Sequence, residues 1–220
     1  MQTRQAYAQL GAVSATAELR PDSESPKRQL VLDAAAELFM AQGYGAVSMD
    51  AIARAAGVSK ATLYAHFSSK EQLFARIIGD ACRQKIAVAE FLPADTLDVQ
   101  AALVAVGGRI LRFLLEDRAL AIHRVVISES LRFPELGRAF FDNGPALFRQ
   151  TFGEWLKAQT AAGRLLVADT DMAADQFIGL LRNGLYLRAT LGLAHPSEAE
   201  IDAVVTSAVE VFLRAYGTDW

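Results

Sequence analysis

The three residues Gly57-Val58-Ser59 constrain this chain more than any other stretch. Before them, Met49, Ile52, Ala53 and Ala56 share one face of a short helix that Ser48 is placed to cap, and Gly57 stops it. After them, Ser59 is placed to cap a further helix that ends near Phe67. Helix, three-residue turn containing glycine, helix is the arrangement of a helix-turn-helix.

The flanking sequence supplies the elements such a pair needs. Ser25-Pro26 reads as a cap and first helical position, and Val31, Ala34, Ala35, Leu38 and Phe39 form one apolar stripe behind it. "QGYG" ends that helix. Ser68 and Glu71 have capping-box spacing and open a long fourth helix, expected to reach about Leu92 before Pro93. Beyond it, helices are predicted over 96–115, 118–131, 135–161, 171–192 and 198–216, and no stretch alternates as a half-buried strand would. The fold class is therefore all-α. A mobile arm is expected over 1–24, a small helical unit over 25–70 and a larger helical domain over 71–220.

Composition narrows the class further. Of 220 residues 52% are hydrophobic, enough for a sizeable core, and no apolar run approaches a membrane span or a signal-peptide core. Cys82 is the single cysteine, which excludes an internal disulfide framework and fits a reducing cytoplasm. The net charge of −3 is uneven. Between residues 26 and 70 five bases face three acids, so a basic module is joined to an acidic body, which is compatible with local phosphate binding.

On a helix over 59–67, Leu63 and Phe67 point together into a core. Ala61, Thr62 and Ala65 lie opposite, flanked by Tyr64 and His66. A face with so small a centre suits insertion into a groove about 12 Å wide. Thr62, Tyr64 and His66 offer hydrogen bonds to phosphates, Lys60 and Lys70 add charge, and Ser48 and Ser59 mark helix N-termini that favour a phosphate oxygen. Any one of these residues is more often ordinary solvated surface. The whole set on one short helix after a tight turn is not.

Residues 36 to 74, "AELFMAQGYGAVSMDAIARAAGVSKATLYAHFSSKEQLF", resemble the DNA-binding domain of the TetR family of bacterial transcriptional regulators. "RVVISESLRFPELGRAFF" is similar to a C-terminal domain of one subset of that family. The resemblance implies a homodimer on a pseudo-palindromic double-stranded DNA operator, with a C-terminal domain that binds a small molecule. It carries DNA contacts onto Ser48, Ser59, Lys60, Ala61, Thr62, Tyr64, His66 and Lys70. Lys60 and Ala61 occupy variable positions and, with Thr62, are expected to set base preference; Tyr64, His66 and Lys70 are expected to anchor phosphates. Repression is the family's commoner mode.

In the larger domain, Ile201, Val204, Val205, Ala208, Val211, Phe212 and Ala215 form an apolar stripe on the last helix. The helix before it offers Phe177, Ile178, Leu181, Leu185 and Leu187 with Gly179 and Gly184. Periodicity leaves intrachain core and dimer contact open; the resemblance favours an intermolecular four-helix bundle using Ile178, Leu181, Leu185, Val204, Val205, Ala208, Val211 and Phe212. Phe141, Phe148, Phe152 and Trp155 share a face that is either core or the wall of a pocket for an apolar or aromatic effector, with Arg112, His123, Ser128 and Asn183 as polar candidates. Arg112 and Glu116 have the spacing of a surface pair. No catalytic or cofactor motif is present, and neither metal nor cofactor is expected. The competing non-enzymatic reading is a helical dimer acting through protein contacts without reading DNA.

Overall fold

The computed structural model describes residues 26–86, 92, 97–193 and 195–218. The expected arm, the Ser25 cap and the end of the fourth helix near Leu92 fall on or against residues outside that set. Among the described residues the chain forms eleven helices: α1 (Pro26–Gln42), α2 (Met49–Ala55), α3 (Lys60–His66), α4 (Lys70–Ile86), α5 (Val99–Leu115), α6 (Asp117–Glu129), α7 (Pro134–Asn143), α8 (Pro145–Ala161), α9 (Thr170–Leu181), α10 (Gly184–Thr190) and α11 (Glu198–Tyr216).

The first three helices and the start of α4 enclose one core. Phe39, Ile52, Leu63, Leu73 and Phe74 are completely or almost completely buried there. Each stabilises the unit by about 1.5–3 kcal/mol relative to exposure. Phe39, Tyr44 and Phe74 meet with ring centroids 5.3 to 6.0 Å apart. Gly57 takes φ 66°, the left-handed conformation that the short α2–α3 turn requires. Ile122 and Val126 of α6 and Leu136 of α7 join the same core, so packing continues from the small unit into the body.

The body is built around Phe152 of α8. Its ring stacks at 5.2 Å on Phe148, 5.7 Å on Trp155 and 5.1 Å on Phe177, and Phe212 of α11 packs edge-on against Phe177. The arginine at 112 ties α5 to α11: its guanidinium lies 2.8 Å from Glu198 and 2.6 Å from Asp202.

Three expected elements are corrected. The fourth helix is capped one residue later than predicted: Ser69 Oγ accepts from the Gln72 amide, and Gln72 Oε1 accepts from the Ser68 amide. Glu71 accepts a hydrogen bond from the buried Tyr44 hydroxyl. The predicted helix 135–161 divides at Gly144 because Pro145 has no N–H and opens a new first turn. The predicted helix 171–192 divides after Leu181, where Asn183 takes extended backbone and caps α10 by accepting from the Leu185 amide.

Candidate functional site

The candidate reading surface is α3 and the residues that hold it. Ser48 Oγ accepts from the Ala51 amide, and Ser59 Oγ accepts from the Thr62 amide, so both hydroxyls fix their helices. A first turn has further amides that a single cap does not satisfy, and such amides suit an anion. Thr62 is bound to its cap as well, with its hydroxyl 2.8 Å from Ser59 Oγ. Leu63 and Phe67 anchor the inner face, while Ala61, Tyr64, Ala65 and His66 are exposed, Tyr64 to 51%. Lys60 Nζ lies 2.5 Å from Asp50 on α2, and both side chains are largely in solvent.

Lys70 has contacts within the chain as well. It is half-buried, donates to the Tyr44 carbonyl at 2.9 Å and sits 4.5 Å over the Tyr44 ring. One ammonium donor thereby secures the α1–α2 turn.

That turn carries a junction that sequence reading missed. Glu129, the last residue of α6, accepts from the Tyr44 and Gly45 amides at 2.7 Å each, and Phe133 packs edge-on against Tyr44 at 5.5 Å. A carboxylate at a helix C-terminus is disfavoured by the dipole, and two amide donors offset that cost. The approach is so close that a Cβ on Gly45 would lie 2.8 Å from the Phe133 ring, and one on Gly43 would lie 2.4 Å from Glu129 Oε1. A glycine on either side of Tyr44 was the visible signal for this contact, but nothing in the sequence named the partner.

A cavity of about 270 Å³ lies between α1 and α4 on one side and α5 to α10 on the other. Its wall is mostly apolar, with Ile77, Ile110, Phe113, Ile122, Phe140 and Phe148 among the lining residues. Gln29 and Asp33 of α1 reach it, and Arg118 of α6 lies 3.5 Å from Asp33 across its edge. Of the expected pocket residues, His123 and Phe148 line this space. Phe152 and Trp155 do not; they are core, completing the aromatic stack behind Phe148. Arg112 is held at the surface by its two acids, Ser128 is exposed and donates to the Val125 carbonyl, and Asn183 is a helix cap. Tyr186 and Arg182, which the sequence did not single out, close one end around His123. Burial, and secondarily the neighbouring Arg182, push the His123 pKa down to about 4, so the imidazole is neutral near pH 7.

The expected dimer stripe divides in the same way. Leu181, Leu185, Val205, Ala208 and Phe212 are buried within the chain, Ile178 lines the cavity, Val204 is half-buried and only Val211 is well exposed. The helical period places the outward face of α11 on Ala203, Ser207, Val211 and Ala215, all exposed. No atom lies within 4 Å of a Cβ built on Gly179 or Gly184, so these two glycines also face open space.

A helix-turn-helix head on an all-helical body is the architecture of DNA-binding transcriptional regulators. Residues 31–77 match the family described as bacterial regulatory proteins, tetR family, and residues 101–218 match the AefR-like transcriptional repressor C-terminal domain. The chain belongs to the TetR family. It is similar to the flavonoid-responsive regulator FrrA, with 38% identity and a TM-score of 0.72 over 88% of this chain and 98% of that one. With the regulator SrpR of Pseudomonas putida it shares 28% identity over 72% of this chain and 73% of that one. The match to the transcriptional activator FasR of Mycolicibacterium smegmatis reaches 50% identity but covers only 24% of each chain. Among the described residues no helix is long and apolar enough to cross a membrane.

Proposed function

We propose that this protein is an effector-responsive repressor that binds a pseudo-palindromic operator as a homodimer. Residues 25–70 read the DNA, and residues 71–220 bind the effector and dimerise. The observation that carries this reading is the position of the cavity: α1 of the reading head forms part of its wall. An effector entering there pushes directly on the head. Helix α6 connects the same two places, with His123 in the cavity wall and Glu129 holding the α1–α2 turn. A shift of α6 on effector binding therefore moves the head and changes the separation of two recognition helices, which must match successive major grooves roughly 34 Å apart. The outward face of α11 together with Gly179 and Gly184 supports a partner-facing surface. The apolar wall supports an apolar or aromatic effector, in keeping with the flavonoid response in the name of FrrA.

The test is selection of bound duplexes from a randomised DNA pool, with Tyr64→Ala as control. An inverted repeat recovered by the wild type and lost in the variant is the expected result. Enrichment of no sequence, with equally weak binding by both proteins, would overturn the reading in favour of a scaffold acting through protein contacts.

A further inference from the structure

The polar end of the cavity limits what it accepts. His123 comes from α6, Arg182 directly follows α9, and Tyr186 comes from α10; all three line the cavity. Arg182 Nη2 lies 3.4 Å from His123 Nε2, and Tyr186 Oη lies 2.9 Å from His123 Nδ1. A guanidinium has donors only, so Nε2 is the acceptor. A neutral imidazole then carries its proton on Nδ1 and donates it to the tyrosine oxygen. The Tyr186 hydroxyl hydrogen is consequently directed away from His123, although Tyr186 is buried. Tyr186 lines the cavity, so that hydrogen is available to an acceptor held there.

The acids along the wall set the opposite limit. Asp33 faces Arg118 at 3.5 Å, Asp80 is bound by Arg76 and Arg83, and Asp175 faces Arg149 at 3.5 Å. Each of these arginines is already engaged by a carboxylate, so an anionic guest finds no unpaired cation among them and loses its hydration uncompensated. Resting on the effector-site reading above, we propose that the effector is a neutral, largely apolar molecule whose one essential polar group is a carbonyl-type acceptor, taken by the Tyr186 hydroxyl that the Arg182–His123 pair orients. Arg182 is a positioning residue: it fixes the tautomer of His123 and through it the direction of the Tyr186 proton.

Three probes of one shape test this with the full chain: benzophenone, diphenylmethane, which lacks only the carbonyl, and 4-benzoylbenzoate, which adds a carboxylate. Calorimetry should give benzophenone at least tenfold tighter binding than either comparator. Tyr186→Phe should lower benzophenone affinity about tenfold and leave diphenylmethane unchanged. Arg182→Met, a change at an exposed side chain, should lower it several-fold by letting Tyr186 donate to the histidine instead; thermal unfolding verifies that both variants fold. Equal binding of benzophenone and diphenylmethane, or a Tyr186→Phe protein that binds benzophenone normally, overturns the proposal. Preference for 4-benzoylbenzoate, or no binding of any probe, overturns it as well. Ile178→Trp, which fills the cavity without a ligand, separates that failure from failure of the site: a changed operator affinity in this variant retains the effector cavity, and an unchanged one removes it.

Discussion

The reading head and the body are assembled by contacts of different reach. In the head, polar side chains close over short spans: Ser48 to Ala51, Ser59 to Thr62, Asp50 to Lys60 and, at the longest, Tyr44 to Glu71. In the body the corresponding ties run from Arg112 to Glu198, from Arg124 to Thr190 and from His123 to Tyr186. The head is a solid unit with polar groups on its outer face, whereas the body is hollowed where it meets α1 and α4. A solid unit moves as one piece and a hollow one deforms, which is the division needed for a guest in the body to relocate the head. Glu129 and Phe133 bridge the two, and they are where the contrast is most open to attack.

The largest effect is expected in the body. Phe152→Ala removes the centre of the aromatic stack and should cost about 4 kcal/mol in denaturant unfolding. If the head is as self-contained as its local contacts indicate, amide exchange in Leu63 and Phe67 should change far less than in Phe177 and Phe212. Equal loss of protection in both regions would show that head and body unfold as one unit, since Ile122, Val126 and Leu136 already share the head's core.

Glu129→Ala strikes the bridge itself. Two amides lose a charged acceptor, worth about 3 kcal/mol in total, and the head loses its hold on α6. Operator affinity should change while the response to an effector, read as operator release, becomes weaker. An unaltered response would mean that the coupling runs through α1 and α4 at the cavity wall and not through α6.

This difference in reach also explains what was legible in the sequence. Caps at Ser48 and Ser59, the inward Leu63 and Phe67, and the exposed Tyr64 follow from spacing within a few residues, and the structure has them as the spacing predicts. The cavity did not follow from spacing. His123 and Phe148 were visible as candidates, but Phe152 and Trp155 share the same helical period as Phe148, and only the packing of α9 and α11 decides which of them is core. Tyr186 carried no local signal, because its partner lies 63 residues earlier. The stripe on α11 was read in the correct period: most of its positions meet α5 and α9 within the chain, while Val211 stays exposed one step around the helix. Lys70 fits its motif in type and place, and its ammonium also lies over the Tyr44 and Phe133 rings.

A smaller effect separates the two regions by pH. His123 is depressed to about 4 from an ordinary value near 6.5, with burial as the first cause. The unfolded chain therefore takes up the proton before the folded one. Stability is intact above about pH 6.5 and falls as the pH is lowered towards 4. With solvent screening of a partly exposed ring, the loss is on the order of 1 kcal/mol. His123→Gln should flatten the melting temperature between pH 7 and 5 relative to wild type. A slope that survives the substitution would place the titrating group elsewhere.

The smallest stability effect is expected where the functional effect is sharpest. The Lys60–Asp50 pair is exposed on both sides, so Lys60→Ala should shift the unfolding free energy by less than about 0.5 kcal/mol. On DNA the same ammonium has to leave or share Asp50 to meet a base edge or phosphate, and Asp50 competes for it. Lys60→Ala should then alter the ranking of operator variants in a competition assay, while Tyr64→Ala weakens all of them alike. Asp50→Asn gives the complementary result: it frees Lys60, strengthens binding to every sequence, and makes the dependence on salt steeper because one more cation is available to displace counterions. A Lys60→Ala protein that merely binds every duplex more weakly would make the lysine a phosphate anchor, and base preference would then rest on Ala61 and the Thr62 methyl, since the Thr62 hydroxyl is already engaged by Ser59.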